Sequence, residues 1–426
     1  MFSVIRKFSS SSTTKLVMTF ISGQVFSSVI GIACSLVQVR FVSPIQMGTL
    51  QSCAIFTSYL SFLHLGTFTA LQRELPYLVG KGEVDKARKL AGVCQGWVVF
   101  VGLMSSGVFL VLALVSLFRS EYALAAGWLV QSFSVFFILY TGYLGVTYRT
   151  TSEFAVFTKS NVKVSLSSIL TLPLLGLSAY YGMCLRNIII AATQGVLLHY
   201  YRPIKVSLFF DWSILKSLIA FGFPLSVFGY VETSFWLATQ NYLVSRTLGT
   251  EVLGLLAFTL LAQNSILIIP QSINQVYMPR ISQHLGSSAD LRGIVRLCIK
   301  PTIVSFLLSC VFVLVAWFSV GPACRLLAPK YIEAVPAIRL SLLIMPLVSL
   351  RLPQYILIAA RKRRAYAACS VTGLFVGIAL LAMVLRSGFG LSAIILAYLG
   401  GYFAMIIMSL FQVKFAIVQN SSTDSA

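Results

Sequence analysis

Apolar runs of membrane-spanning length recur along the whole chain, and they leave little choice of fold. A helix of about 20 apolar residues crosses the ~30 Å hydrocarbon core of a bilayer. The runs are continuously apolar rather than alternating, which favours helices over a β-barrel. Bounded by their flanking charges, they predict twelve helices near 16–38, 47–70, 91–117, 122–146, 161–182, 186–201, 215–241, 252–275, 300–320, 333–355, 366–386 and 391–414. The sixth is short for a bilayer. Only 10% of the 426 residues are charged, against about a quarter in a soluble domain, so lipid must cover the apolar excess. The expected fold is an all-α polytopic membrane protein. The run beginning at Lys15 is too long for a signal-peptide core and reads as the first spanning helix.

The net charge is +21, from 32 basic against 11 acidic residues. Nucleic-acid binding is not the reading, because the basic residues form short clusters between apolar runs rather than a solvated patch. Assigned to alternate helix ends, roughly three quarters of them fall on one side, including the clusters at Lys81–Lys89 and Arg361–Arg364. The other side receives Arg40, Arg119, Arg186, Arg246, Arg325, Lys330, Arg339 and Arg386. By the positive-inside rule the richer side, with both termini, is cytoplasmic. The eight cysteines form no C-x-x-C pair and lie mostly in apolar runs, where cysteine packs as a small hydrophobe.

An internal repeat is visible. Arg40 and Gly48 in RFVSPIQMG recur 206 residues later as Arg246 and Gly254 in RTLGTEVLG. Gly23 and Gly229 share that offset, as do Gly80 and Gly286, and EYALAA from Glu121 is echoed by KYIEAV from Lys330. Two parallel six-helix halves are expected, 1–205 and 206–426, around a central cleft. Parallel repeats of this kind belong to transporters, with the substrate site between the halves.

Enzyme chemistry finds little support. His64, His199 and His284 stand in separate segments without metal-ligand spacing, and no P-loop is present. Gly388–Ala393 formally fits a dinucleotide fingerprint but sits in a short loop between membrane helices, outside any βαβ context. Glu83-Val84-Asp85 has Lys86, Arg88 and Lys89 beside it and reads as a solvated helical face. No catalytic residue, metal or cofactor is expected.

What remains is charge at membrane depth, which is expensive and therefore informative. Glu232, in FGYVETSFWLATQ, is the acidic residue nearest the middle of a predicted span. It has two readings: a hydrogen-bonded or arginine-paired structural carboxyl, or a group that couples transport to a proton or ion. Arg40 and Arg246 stand at the outer ends of equivalent helices, and Arg73 and Arg280 at inner ends. Singly each reads as an interfacial anchor; together, facing a cleft, they suit an anionic cargo.

Several stretches resemble a known family. LHLGTFTALQRELPYLVGKGEVDKA (63–87) is similar to the loop after the second helix of polysaccharide and O-antigen flippases. These belong to the multidrug/oligosaccharidyl-lipid/polysaccharide exporter (MOP) superfamily. VRFVSPIQMGTLQ (39–51), FGFPLSVFGYVE (221–232), LGTEVLGLLAF (248–258), INQVYMPRIS (273–282) and LLAPKYIEAVPAIRL (326–340) also look like that family's pattern. Where many relatives carry an acidic residue, this chain has Gln240-Asn241. The resemblance implies alternating-access transfer of an undecaprenyl-diphosphate-linked oligosaccharide between leaflets of the cell membrane, with Glu232 as the coupling candidate. It also implies a monomer in contact with membrane lipids, working beside a polysaccharide polymerase and glycosyltransferases. A diphosphate needs cationic partners, ideally the planar guanidinium fork, which Arg40, Arg73, Arg246 and Arg280 would supply. A glycan needs a wet polar cleft, for which Tyr230, Thr233, Gln240 and Asn241 are the candidates. The competing expectations are a same-fold exporter of cationic drugs, which would want carboxylates in the cleft, and a membrane-embedded glycan-modifying enzyme.

Overall fold

The computed structural model describes residues 10–423 apart from 152, 265, 268–269, 271–290, 352–353, 355, 358–361 and 387–389. Every regular element among them is helical. Ten helical stretches are long and apolar enough to cross a membrane, and a bent pair meeting at Pro224 brings the number to eleven. Each of these eleven corresponds to a helix expected from sequence. The remaining one, expected at 252–275, is helical over 249–264 and at 266, 267 and 270, and residues 271–275 lie outside the described residues.

The chain divides into two compact units. One comprises residues 1–42 and 49–227, the other residues 43–48 and 228–426. In the first lie α1 (Ser10–Phe41), most of α2 (Pro44–Leu60), α3 (Thr67–Gly80), α4 (Val84–Phe118), α5 (Tyr122–Thr150), α6 (Phe154–Leu170) and α7 (Ala179–Tyr200). The α4–α5 hairpin turns at Ser120, whose φ of 62° is left-handed. Its core gathers Leu71, Leu75, Cys94, Val98, Val135, Leu139 and Tyr143. Because lipid is as apolar as leucine, burial alone does not hold such helices together, and interhelical hydrogen bonds matter more. Tyr143 donates to the Ala91 carbonyl at 3.1 Å, Tyr148 to Leu198 at 2.9 Å and Tyr180 to Ala123 at 2.7 Å. Thr57 donates to the Gln131 side chain at 2.8 Å in the interior.

The large apolar side chains of α4 point outward. Leu103, Met104, Val108, Val111 and Leu114 are all exposed, an outward apolar stripe that only a hydrocarbon solvent tolerates. The other unit repeats this on α11 (Leu291–Leu327), where Ile303, Leu307, Val311, Leu314 and Phe318 face out. Its remaining elements are the end of α8 (Trp212–Tyr230, of which residues 212–227 belong to the first unit), α9 (Trp236–Thr247), α10 (249–264), α12 (Val335–Leu342), α13 (Ile344–Ser349), α14 (Arg363–Arg386) and α15 (Leu391–Thr423). Ser305 and Ser309 on α11 both bond the Ser349 hydroxyl, at 3.0 and 2.9 Å.

The two Arg-x7-Gly segments of the repeat meet inside the second unit. A Cβ on Gly48 would lie 1.7 Å from the Thr250 carbonyl oxygen, and a Cβ on Gly254 would lie 1.8 Å from that of Pro44. Pro44 and Thr250 are themselves 206 residues apart, so the contacts are reciprocal under the repeat offset. Only glycine lets two backbones approach this closely.

Three expected spans differ in detail. The second is broken: a 3-10 turn at Ser61–His64 ends at Leu65 and Gly66, with φ of 49° and 78°, before α3 resumes the path. The fifth stops at Leu170. Pro173 opens a single turn over Leu174–Leu177, and Ser178 is extended at φ −158°, ψ 118°. The residues after it join the sixth helix, which therefore spans 22 residues as α7 rather than the short run expected. The tenth span bends at Leu343, whose N–H bonds Leu340 in a 3-10 turn because Pro346 cannot donate into the helix ladder.

Candidate functional site

The site begins at an irregularity. Between α8 and α9, residues Val231–Phe235 form a π turn, a one-residue expansion that proteins often keep at functional positions. Pro224 lies just upstream inside α8, so this span carries two departures from regular helix. The Glu232 backbone belongs to the π turn; its side chain lies outside the described residues. Thr233 is exposed and donates to the Gly229 carbonyl at 2.8 Å. Tyr230 is half-buried at the end of α8.

Directly after the turn, α9, α14 and α15 border a small, half-open cavity of about 30 Å³, enough for one water. Val231, Trp236, Ser370, Gly373, Tyr398 and Gly401 are among its walls. Trp236 stacks on Tyr398 at 5.7 Å, and Tyr398 meets Tyr402 edge-on at 5.2 Å. Arg351 donates to the Tyr402 hydroxyl at 3.2 Å and to Gln354 Oε1 at 2.9 Å. An aromatic chain thus runs from an arginine to the wall of the cavity. Sequence reasoning missed it, although Tyr398 and Tyr402 stand four apart in one apolar run and so share a helix face.

Gln240 and Asn241 lie one turn further along α9, each at 1% exposure. All four of their side-chain amide atoms, and the Trp236 indole nitrogen, lack a hydrogen-bond partner among the described residues. An unpaired buried polar group costs about 1–3 kcal/mol, and apolar packing on this face of α9 does not offset that cost. These two residues were expected to line an open cleft; they stand in an enclosed interior instead.

The arginines are placed as follows. Arg40 is exposed in the last turn of α1, and Arg246 is exposed in the last turn of α9, where cations favour the negative helix end. Arg73 is exposed on α3, with its guanidinium 4.6 Å from the Phe221 ring centroid. Stacking occupies the face of the fork and leaves its edge to other partners. Arg280 lies outside the described residues. Arg40 and Arg73 belong to one unit and Arg246 to the other. On the solvated loop, Glu83 pairs with Lys86 at 2.9 Å and Asp85 with Arg88 at 4.0 Å. Lys86 holds the Glu83 carboxyl below its usual range.

Arg186 requires a correction. Expected at the outer end of the sixth helix, it sits inside α7 at 6% exposure, because α7 starts at Ala179. It donates to Gln38 Oε1 at 2.7 Å and to the Ser168 carbonyl at 3.4 Å. Among the described residues no carboxylate pairs with it. Gln38 and Ser168 lie in the last turns of α1 and α6, so the negative ends of two helices surround the guanidinium and stand in for a counter-ion.

With this geometry in place, the fold can be compared: it is shared with solved transporters of the MOP superfamily. An inward-facing multidrug-resistance MATE transporter of that superfamily superposes over 93% of this chain and 96% of its own, with TM-score 0.72 and 13% identity. A MOP transporter from Pyrococcus furiosus, whose reversed binding-pocket polarity suggests a different function, covers 95% and 96% with TM-score 0.67 and 15% identity. Within the chain, residues 155–336 match the family described as polysaccharide biosynthesis protein. The superfamily resemblance read from the sequence is borne out. No curated protein matches the chain.

Proposed function

We propose that this chain is a flippase for an undecaprenyl-diphosphate-linked oligosaccharide, carrying it from the cytoplasmic to the outer leaflet by alternating access for surface-polysaccharide and O-antigen assembly. The match of residues 155–336 to a polysaccharide-biosynthesis family carries this reading. Charge supports it: basic residues outnumber acidic ones 32 to 11, and the buried face of α9 presents amides where a cationic drug would want carboxylates. Arg40, Arg73, Arg246 and Arg280 are proposed to hold the diphosphate. Tyr230, Gln240 and Asn241 are proposed to meet polar groups of the glycan, and Glu232 to serve coupling. The two repeat halves, 1–205 and 206–426, are proposed to alternate around the cargo in the cell membrane with both termini cytoplasmic, next to glycosyltransferases and a polymerase.

Proteoliposomes containing a lipid-linked oligosaccharide of known sugar composition test this directly. Headgroup accessibility to an external glycosidase should rise in the presence of the protein, and efflux of a cationic dye should not. Dye efflux without headgroup transfer would assign the chain to drug export instead. Alanine at any one of the four arginines should slow transfer about tenfold, the weight of one charge-assisted hydrogen bond. Lysine should restore part of the rate, since an ammonium keeps the charge but loses the fork. Normal transfer by the quadruple alanine variant, inserted at normal levels, would overturn the arginine assignment.

A further inference from the structure

Residues 202–211, between α7 and α8, form an irregular strap along α4 rather than a free loop. Gly92 and Gly96 admit it: a Cβ there would lie 3.1 Å from the Ser207 carbonyl oxygen and 2.6 Å from that of Phe209. Strap and helix together border an open apolar groove of about 590 Å³, walled by Trp97, Phe100, Leu208, Phe209, Phe210 and Trp212.

Two features make this groove unlike the ordinary lipid-facing surface. First, among the described residues no group accepts a hydrogen bond from the backbone N–H groups of Ile204 through Phe210. Backbone donors cannot face hydrocarbon unpaired, so the strap must lie at headgroup depth, where phosphate and ester oxygens or water accept. Secondly, Lys205 in the strap, Lys216 in α8 and Lys89 in α4 are all exposed. The nearby carboxylate, Asp211, is already engaged. It accepts from Ser213 N at 2.8 Å and Ile214 N at 3.1 Å, capping α8. The Ile214 and Ser213 bonds, with Lys89 close by, hold its carboxyl below the usual range. A neutral or cationic headgroup would gain little from this rim.

Aromatic walls, unpaired N–H donors and a lysine rim together describe one ligand chemistry. We infer that the groove between α4 and the strap 202–211 is a binding site for an anionic phospholipid of the surrounding leaflet. The acyl chains lie against Trp97, Phe100 and Phe210, and the phosphate lies among the strap N–H groups and Lys89, Lys205 and Lys216. This site is separate from the proposed cargo residues and does not depend on the identity of the cargo.

Tryptophan quenching tests it in the full-length chain. Trp97 and Trp212 line the groove, so the quenching that disappears in the Trp97→Phe/Trp212→Phe variant reports on it. In bilayers, brominated-chain phosphatidylglycerol should quench this fraction at lower mole fraction than brominated-chain phosphatidylcholine. Each of Lys89→Gln, Lys205→Gln and Lys216→Gln should weaken the preference by up to about fivefold, and the triple variant should remove it. The loop pair Lys81→Gln/Lys86→Gln, which leaves the rim intact, should keep it. Equal quenching by both lipids overturns the inference. So does an equal loss in the loop variant, which would make the attraction diffuse. Displacement of the lipid by a small excess of polyprenyl phosphate would assign the groove to cargo entry and likewise overturn it.

Discussion

Leucine at Gly48 or Gly254 should abolish accumulation of the folded protein. A Cβ at either position falls less than 2 Å from a backbone carbonyl oxygen, at 1.7 and 1.8 Å. The obstacle is helix backbone rather than the end of a side chain, so α2 and α10 would have to move apart. Even alanine should cost about 3 kcal/mol, the upper range for overpacking, and leucine should exceed what a marginally stable protein can lose. Gly107 in the middle of α4 is the matched control, since nothing lies within 4 Å of a Cβ there. Gly107→Ala should be neutral or stabilise by up to ~1 kcal/mol through helix propensity. Yield after detergent extraction and thermal unfolding of the purified chain measure both. Wild-type stability in Gly254→Leu would mean that the two repeat segments do not touch.

Removing the Arg186 guanidinium should have the second-largest effect on stability. Arg186→Ala leaves Gln38 Oε1 without its donor in the interior, while the Ser168 carbonyl keeps the Thr171 hydroxyl at 3.1 Å. The expected loss is about 1–3 kcal/mol, one desolvation penalty for the stranded acceptor. Arg186→Lys should recover less than half, because one ammonium cannot reach two acceptors with fork geometry. Arg186→Glu should be worse than alanine, since it places a carboxylate between two negative helix ends. Unfolding midpoints for the three variants should therefore fall in the order Lys, Ala, Glu. A glutamate variant as stable as wild type would remove the helix-end account.

The pattern of spans was legible because membrane depth forces it. Twenty apolar residues between charges have no other stable use, and all but one of the expected helices are recovered within the described residues. The breaks were not legible in the same way. Leu65 is an ordinary helix former that adopts φ 49° because Gly66 beside it packs on the Gly222 backbone, and nothing in the local sequence announces that contact. Pro173 was a visible warning, but whether residues after it join the preceding or the following helix depends on tertiary packing. Arg186 followed from that boundary: reading charge as the end of a span placed it at the outer end of its helix, whereas the helix begins seven residues earlier. The candidate site divides similarly. Gln240 and Asn241 stood out as polar residues in an apolar run, and they are polar groups in need of partners. Their enclosure, and the chain from Arg351 through Tyr402 and Tyr398 to Trp236, depend on how α14 and α15 approach α9. Periodicity within one helix carries no record of that approach.

The π turn at Val231–Phe235 also governs direction. One residue beyond the α-helical count advances everything after it by about 100° around the helix axis. Gln240, Asn241 and Trp236 owe their inward bearing to that extra residue rather than to their own side-chain chemistry. A chain one residue shorter in this turn would retain Trp212–Tyr230 unchanged and present a different side of α9 to the interior, swinging both amides away from their present neighbours. The face that α9 offers is therefore a matter of phase, adjustable by a single insertion or deletion with no residue of that face replaced.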